Sequence, residues 1–490
     1  MRRVTLKLVV VLTLLIGLIP AGAASAEEVH THSGNMSYVK NLPYAARNGT
    51  SPNYGTDIEF AKLRVNGTLR SYALAGSYRN GLQIVDITNP SQAKIAAVYD
   101  CGVTQGDVQV FRRSDEPGRT FITYTSDTTG DGTSTCYREA KALGFDILKP
   151  NGQGRNGTFV AEITNPLEPR TVSFVEVGQG SHNQTVHPSG KFLYNSNSDL
   201  ITSTSPAIEV FDITDFGRPK LAKELALPTR PGLGTESHDI TFNASGSRAY
   251  SAALSQGVII DTTTPAAPRI ITSFLDPAVN VWHQSDPFSM TDPDTGKRRD
   301  FLIIEDEVAG AIGTGQCPNG GVHVYDVTGD LERNPAKVGY WNIDEIRPTD
   351  NVTDSCTAHV FDIHEREGIM TIAYYNGGVR VVDISNLVGI ALGDDTSITG
   401  AGMREIGFYR TGNADSWSAK TPKIQGNGDF YLYGNDINRG LDIYKFNASG
   451  KKSASDGRWM TPAQALTYSK TLPDVDLNAT TAPFCLLPPS

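Results

Sequence analysis

Apolar and polar positions alternate in short runs along this chain, and one of these runs recurs with the same ending. It is an apolar strand that ends in an acid, followed by one apolar or Thr residue and a polar turn that usually carries Pro. Its seven copies begin at Gly81, Thr158, Ala207, Gly257, Gly321, Gly378 and Gly440. The acid is Asp86, Glu162, Asp212, Asp261, Asp326 and Asp383 in the first six copies, and Lys445 replaces it in the seventh. Strand repeats at intervals of 49 to 76 residues predict a β-propeller with insertions of different lengths.

The fourth copy shows the composition of one blade. Four short β-rich runs, 238–242, 248–253, 257–261 and 269–275, are separated by turn residues. We interpret the repeated acid as turn chemistry, because a short carboxylate at a strand end accepts backbone N–H groups of the following turn. The seventh copy lacks a convincing fourth strand, so we expect residues 36–44 to supply it and to close the ring. The predicted fold is all-β, a single seven-bladed β-propeller with loop insertions on its top face.

The N-terminus has the pattern of a secretory signal peptide. Arg2, Arg3 and Lys7 flank an apolar run at 8–19, and small residues at 24–26 complete an A-x-A site. We expect cleavage after Ala26, an exported propeller domain over 27–453 and an irregular tail over 454–490. No later apolar run is long enough to span a membrane. Cleavage would shift the formal net charge from −10 to −13, which disfavours nucleic acid as a partner.

The repeated phrase resembles the LVIVD-repeat family of secreted bacterial and archaeal proteins. The segments GTDIEF, GSHNQTV, ESHDITF, NVWHQSDPF and FLIIEDE support the resemblance, which extends over nearly the whole chain after residue 26. It implies a propeller fold, and the family's biochemical role is poorly defined.

Five cysteines in an exported protein indicate disulfides. Cys101 lies between the first two blades and Cys136 in the loop joining the second and third strands of blade 2. Cys317 and Cys356 occupy equivalent places in blades 5 and 6. Both kinds of loop emerge on one face, so we predict the pairs Cys101–Cys136 and Cys317–Cys356, with Cys485 left over. The alternative is that these cysteines are buried free thiols.

The candidate chemistry is a column of histidines. Alignment of the innermost strands places one at the entrance of four consecutive blades: His182, His238, His283 and His359. The start of an innermost strand is close to the propeller axis, so the four imidazoles can converge and hold one transition metal ion such as Fe, Cu, Zn or Mn. The alternative is a structural network in which the same side chains bind neighbouring backbone and water.

Acids on the same face could orient the imidazoles or supply oxygen ligands. We expect this role from residues that follow the histidine column or that end second strands: Asp57, Asp107, Asp239, Glu305, Asp306, Glu307 and Asp436. Histidines in a propeller make the arrangement similar in architecture to carotenoid-cleaving oxygenases and to selenium-binding, methanethiol-oxidase-like proteins. We assign no catalytic residue.

Three classes of function remain open from the sequence. The leading hypothesis is an extracellular binding or scaffold propeller with an axial histidine metal or ligand site, whose top face takes an unknown protein, glycan or small molecule. The second is a metal-dependent oxidoreductase or hydrolase that uses the four-histidine cluster. The third is a purely structural surface protein. Metal content of the purified protein would discriminate best among them.

Overall fold

The computed structural model describes residues 30–198, 205–230, 234–292, 295–307, 320–343, 356–389 and 402–448. These residues form seven antiparallel sheets, six of four strands and one of five. The sheets follow one another around a ring, so the chain is a seven-bladed β-propeller, as predicted. Among the described residues, no helix is long and apolar enough to cross a membrane.

The elements are numbered in chain order. Two strands, β1 (His30–His32) and β2 (Met36–Leu42), precede the first blade. Blade 1 contains β3 (Gly55–Val65), β4 (Thr68–Ser77), β5 (Leu82–Asp86) and β6 (Lys94–Tyr99). Blade 2 contains β7 (Val108–Phe111), β8 (Phe121–Ser126), β9 (Gly157–Glu162) and β10 (Arg170–Glu176), with the helix α1 (Thr135–Ala142) between β8 and β9. Blade 3 contains β11 (Asn183–Val186), β12 (Phe192–Ser196), β13 (Ala207–Asp212) and β14 (Lys220–Ala226).

The remaining blades follow the same order. Blade 4 contains β15 (Asp239–Phe242), β16 (Arg248–Ala252), β17 (Gly257–Asp261) and β18 (Arg269–Phe274). Blade 5 contains β19 (Trp282–Thr291), β20 (Arg298–Asp306), β21 (Gly321–Asp326) and β22 (Ala336–Trp341). Blade 6 contains β23 (His359–His364), β24 (Ile369–Ala373), β25 (Val379–Asp383) and β26 (Arg404–Thr411). Blade 7 contains β27 (Ser416–Lys420), β28 (Phe430–Asp436) and β29 (Gly440–Phe446).

The N-terminal segment closes the ring. Strand β2 pairs antiparallel with β29, from Met36 opposite Phe446 to Leu42 opposite Leu441, and so becomes the fourth strand of blade 7. This confirms the predicted closure. Strand β1 pairs with β26 and adds a fifth strand to blade 6, which the repeat pattern did not predict.

The hydrophobic core is divided among the interfaces between blades. Blades 5 and 6, for example, share a cluster that includes Phe301, Trp341 and Met370, each at most 1% exposed. Similar clusters lie between each of the other neighbouring pairs. Because both faces of each sheet are covered, strands such as Leu82–Asp86 are buried along their whole length.

The repeated acids form turns at the ends of the third strands, as predicted. Asp212 accepts the backbone N–H of Thr214 at 2.8 Å, and Asp326 accepts that of Thr328 at 2.8 Å. In blade 2 the acid is Glu162, which also forms ion pairs with Arg119 at 2.8 Å and with Arg170 at 2.5 Å. The repeat therefore encodes blade corners, with the carboxylates bound to turn backbone and to neighbouring guanidinium groups.

One predicted disulfide is present. Cys101 and Cys136 are joined with a Cα–Cα distance of 5.0 Å, which links the connection between blades 1 and 2 to α1. Cys356 is disulfide-bonded, and Cys317, its predicted partner, lies outside the described residues. Cys485, the expected signal peptide at 1–26 and the expected tail at 454–490 lie outside them as well.

Candidate functional site

The four predicted histidines lie side by side at one end of the propeller axis. Each stands at the start of an innermost strand or directly before it, and none is more than 3% exposed. Ring centroids are 4.5 Å apart for His182 and His238, 3.9 Å for His238 and His283, and 4.4 Å for His283 and His359. Residues separated by up to 177 positions in the sequence therefore form one continuous row of imidazoles.

Two of these rings are anchored by backbone carbonyls of the next blade. The Nδ1 of His238 lies 3.0 Å from the carbonyl oxygen of His283, and the Nδ1 of His359 lies 2.6 Å from that of Trp417. A carbonyl only accepts, so each Nδ1 carries the proton and each Nε2 carries a lone pair. Both Nε2 atoms are buried and have no hydrogen-bond partner.

The other two rings are anchored by carboxylates. The Nδ1 of His283 lies 2.5 Å from Oε2 of Glu305, and the Nδ1 of His182 lies 3.1 Å from Oδ2 of Asp127. The Nε2 of His182 lies 3.2 Å from the amide nitrogen of Gln105, which donates to it. In every ring Nδ1 is thus the anchored nitrogen, and in His238 and His359 the Nδ1–H bond to a carbonyl leaves Nε2 as the electron donor.

Burial keeps these rings uncharged. Desolvation, reinforced by the neighbouring imidazoles, holds the pKa of His238 and of His283 well below the usual range. Desolvation also lowers the pKa of His359 to about 3. Near neutral pH these three imidazoles are neutral, which is the form that binds metals.

Glu307 completes the group. Its Oε2 lies 3.5 Å from Nε2 of His283, and its Oε1 lies 3.7 Å from Nε2 of His359. One ligand atom from each of these three residues lies within 4.8 Å of the others. Tyr375 donates its hydroxyl to Oε1 of Glu307 at 2.7 Å, and its ring lies 4.7 Å from that of His359. The carboxylate is therefore held in place between two imidazoles.

The other predicted acids are placed differently. Asp57, Asp107 and Asp239 each lie one residue after the position of the histidine column, and they line the same axial cavity. The Nδ1 atoms of the imidazoles are bound by other groups, so these three acids do not orient the rings through Nδ1. Asp306 accepts the backbone N–H groups at 280 and 281, and Asp436 accepts those at 415 and 438. These two carboxylates shape the loops around the site.

Sequence reasoning missed four partners of the imidazoles: Asp127, Gln105 and the backbone carbonyls of His283 and Trp417. One signal was available. Asp127 directly follows the second strand of blade 2, and Glu307 directly follows the second strand of blade 5. Alignment of that position across blades would have placed both carboxylates beside the histidine column.

Two solved structures that resemble this chain share low sequence identity with it. A protein of unknown function from Desulfotomaculum acetoxidans is 14% identical with a TM-score of 0.41, and the match covers 69% of this chain and 84% of that one. The β-propeller domain of Cps50 (Swd1) from Myceliophteria thermophila is 10% identical with a TM-score of 0.45, and the match covers 83% of this chain and 99% of that one. No curated protein matches the sequence.

One family model matches. Residues 71–101, which contain most of β4 and all of β5 and β6 of blade 1, match the LVIVD repeat. The match falls on the first of the seven copies of the phrase and confirms the resemblance there. The chain is thus a seven-bladed β-propeller that carries an LVIVD repeat.

Proposed function

We propose that this protein is an exported propeller that binds one transition metal ion at its axis. His238, His283 and His359 would supply Nε2 ligands, and Glu307 would supply an oxygen ligand. The observation that carries the proposal is the pair of buried Nε2 atoms without a hydrogen-bond partner, on His238 and His359.

The distances among three of these ligands, His283, His359 and Glu307, suit such an ion. Two ligands that each lie 2.0 to 2.1 Å from a tetrahedral Zn²⁺ are about 3.4 Å apart. The contacts of Glu307 with His283 and His359, at 3.5 and 3.7 Å, are close to that separation. Imidazole nitrogen with one carboxylate oxygen is a donor set that suits Zn, Fe, Cu or Mn.

The surroundings of the rings support the same interpretation. Metal-binding histidines usually donate the other ring N–H to a carboxylate or a carbonyl, which fixes the tautomer and the ring orientation. Each of the four histidines here has such an acceptor. A purely structural network predicts instead that the buried Nε2 atoms are satisfied, because an unpaired buried polar atom costs about 1 to 3 kcal/mol.

A metal-dependent oxidoreductase or hydrolase is the second candidate. It is favoured by the cavity of about 380 Å³ that adjoins the histidines and gives space for a small molecule beside the ion. In this case His182, whose Nε2 is bound by Gln105, would lie next to the ion and contact the substrate. A binding or scaffold role does not require space for a substrate beside the ion.

The test is metal analysis of protein purified without a histidine tag, followed by titration of the stripped protein with Zn²⁺ and Co²⁺. We expect one ion per chain and intense visible absorption of the Co²⁺ form, as for low coordination number. H238A and H283A should abolish retention while circular dichroism stays unchanged. H187A is the matched control, because the buried His187 hydrogen-bonds the carbonyl of Gly246 in a blade corner. Absence of binding, or equal loss in H187A, would reject the proposal.

A further inference from the structure

The histidine site adjoins a cavity that leads to the opposite face of the propeller. The cavity, of about 380 Å³, is lined by the histidines at one end and by Phe242, Asn243 and the exposed Ala244 at the other. These last residues also line a second cleft, of about 870 Å³, between blades 4 and 5. The axial cavity therefore extends from the buried imidazoles to the turn that carries the exposed Ala244.

Carboxylates line this cavity from five of the seven blades. They are Asp57, Glu59, Asp107, Asp239, Asp286 and Asp362. The only basic side chain, other than histidine, among the described lining residues is Lys420 of blade 7. The formal charge of the walls is strongly negative.

Lys420 compensates only part of this charge. Its ammonium group lies 2.9 Å from Asp57 and 3.0 Å from Glu59, so it is engaged at one side of the cavity. No ion pair within the described part of the chain involves Asp107 or Asp286. Burial raises the pKa of Asp107 well above its usual range and the pKa of Asp286 to about 6. A positive charge in the cavity would relieve these carboxylates.

The cavity ends at groups that can bind a cation. The buried Nε2 atoms of His238 and His359 have no hydrogen-bond partner, and both residues line it. A cleft whose walls carry one sign of charge concentrates ions of the opposite sign and accelerates their binding.

We propose that the carboxylate-lined cavity is the route by which cations reach the histidine site, and that it disfavours anions as ligands of that site. The proposal rests on the proposed function. It goes further because it assigns a role to Asp107, Asp239, Asp286 and Asp362 and a class of ligand to the site: metal cations and small cationic or neutral molecules.

Stopped-flow absorption with Co²⁺ as the probe tests the route. At low ionic strength and at a pH that ionises both acids, replacement of the two carboxylates in D107N/D286N should slow association about tenfold, since two unit charges about 10 Å from a divalent ion change its energy by an amount equivalent to about tenfold in rate. The dissociation rate should stay the same, and the dependence on salt should become weaker. D212N is the control, because Asp212 lies in a turn at the corner of blade 3. Should the double variant fold poorly, E59Q removes one charge from the same wall.

Azide titration of the Co²⁺-loaded protein tests the ligand class. Azide should bind more tightly to D107N/D286N than to the wild type, whereas neutral imidazole should bind equally to both. If the wild type binds Co²⁺ and D107N/D286N has the same association rate and the same azide affinity as the wild type, the inference about the cavity is wrong and the metal site stays in place. Failure of every form to bind Co²⁺ would overturn the metal site itself.

Discussion

Removal of the disulfide between Cys101 and Cys136 should destabilise the propeller by a calculable amount. The bond closes a loop with a sequence separation of 35, and the chain-entropy model then gives about 3.8 kcal/mol of stabilisation. Both sulfurs are fully buried, so C101A/C136A leaves a void that adds about 1 kcal/mol. The folded loops should persist, because Arg47 forms ion pairs with Asp100 and Asp131 across the same junction.

The assay is urea denaturation of three forms: oxidised wild type, reduced wild type and C101A/C136A. We expect the reduced wild type to lose about 3 to 4 kcal/mol and the double variant about 1 kcal/mol more. Peptide mapping without reductant checks that the bond is present at the start. If reduction changes the free energy of unfolding by less than about 1 kcal/mol, the argument that this bond restricts the unfolded chain is refuted.

Three further predictions follow from the contacts described. E305Q should weaken metal binding about 10- to 100-fold, because Nδ1 of His283 loses the carboxyl group that anchors the ring, and calorimetric titration would measure this; an unchanged affinity would show that the ring needs no such anchor. Deletion of residues 30–42 should lower the melting temperature, because blade 7 then exposes the unpaired edge of its third strand; unchanged melting would reject the closure as a source of stability. Hydrogen bonds from Arg119 lower the pKa of Glu162 to about 2, so the stability it contributes is present above about pH 4.3 and is lost as the pH falls through 2. Acid unfolding of E162Q should lack this loss of stability. An acid unfolding curve identical to that of the wild type would contradict the assignment.

The seven repeats could be predicted from the sequence because each blade is encoded by short-range sequence patterns. An apolar strand and a following turn appear in every blade in the same order, with an acid at the strand end in the first six, and the structure confirms that Asp212 and Asp326 bind turn backbone. Closure by β2 was predictable for a related reason, since the last copy lacked a fourth strand and a ring cannot leave it unpaired. The added strand β1 and the helix α1 had no comparable signal in the repeat.

The candidate site was only half predictable. Alignment of the blades identified the four histidines, because the start of each innermost strand is the position closest to the axis. Beyond Glu305, it did not identify what holds the rings, because a carbonyl such as that of Trp417 leaves no mark in the sequence and Asp127 belongs to a different register. Asp107 and Asp239 line the cavity beside the imidazoles, and the Nδ1 contacts come from other groups. The sequence alone determined the blades and the residue types available at the axis. The tertiary structure decided which nitrogen of each histidine is bound and which is left to bind a ligand, because the partners of most of these rings come from a neighbouring blade.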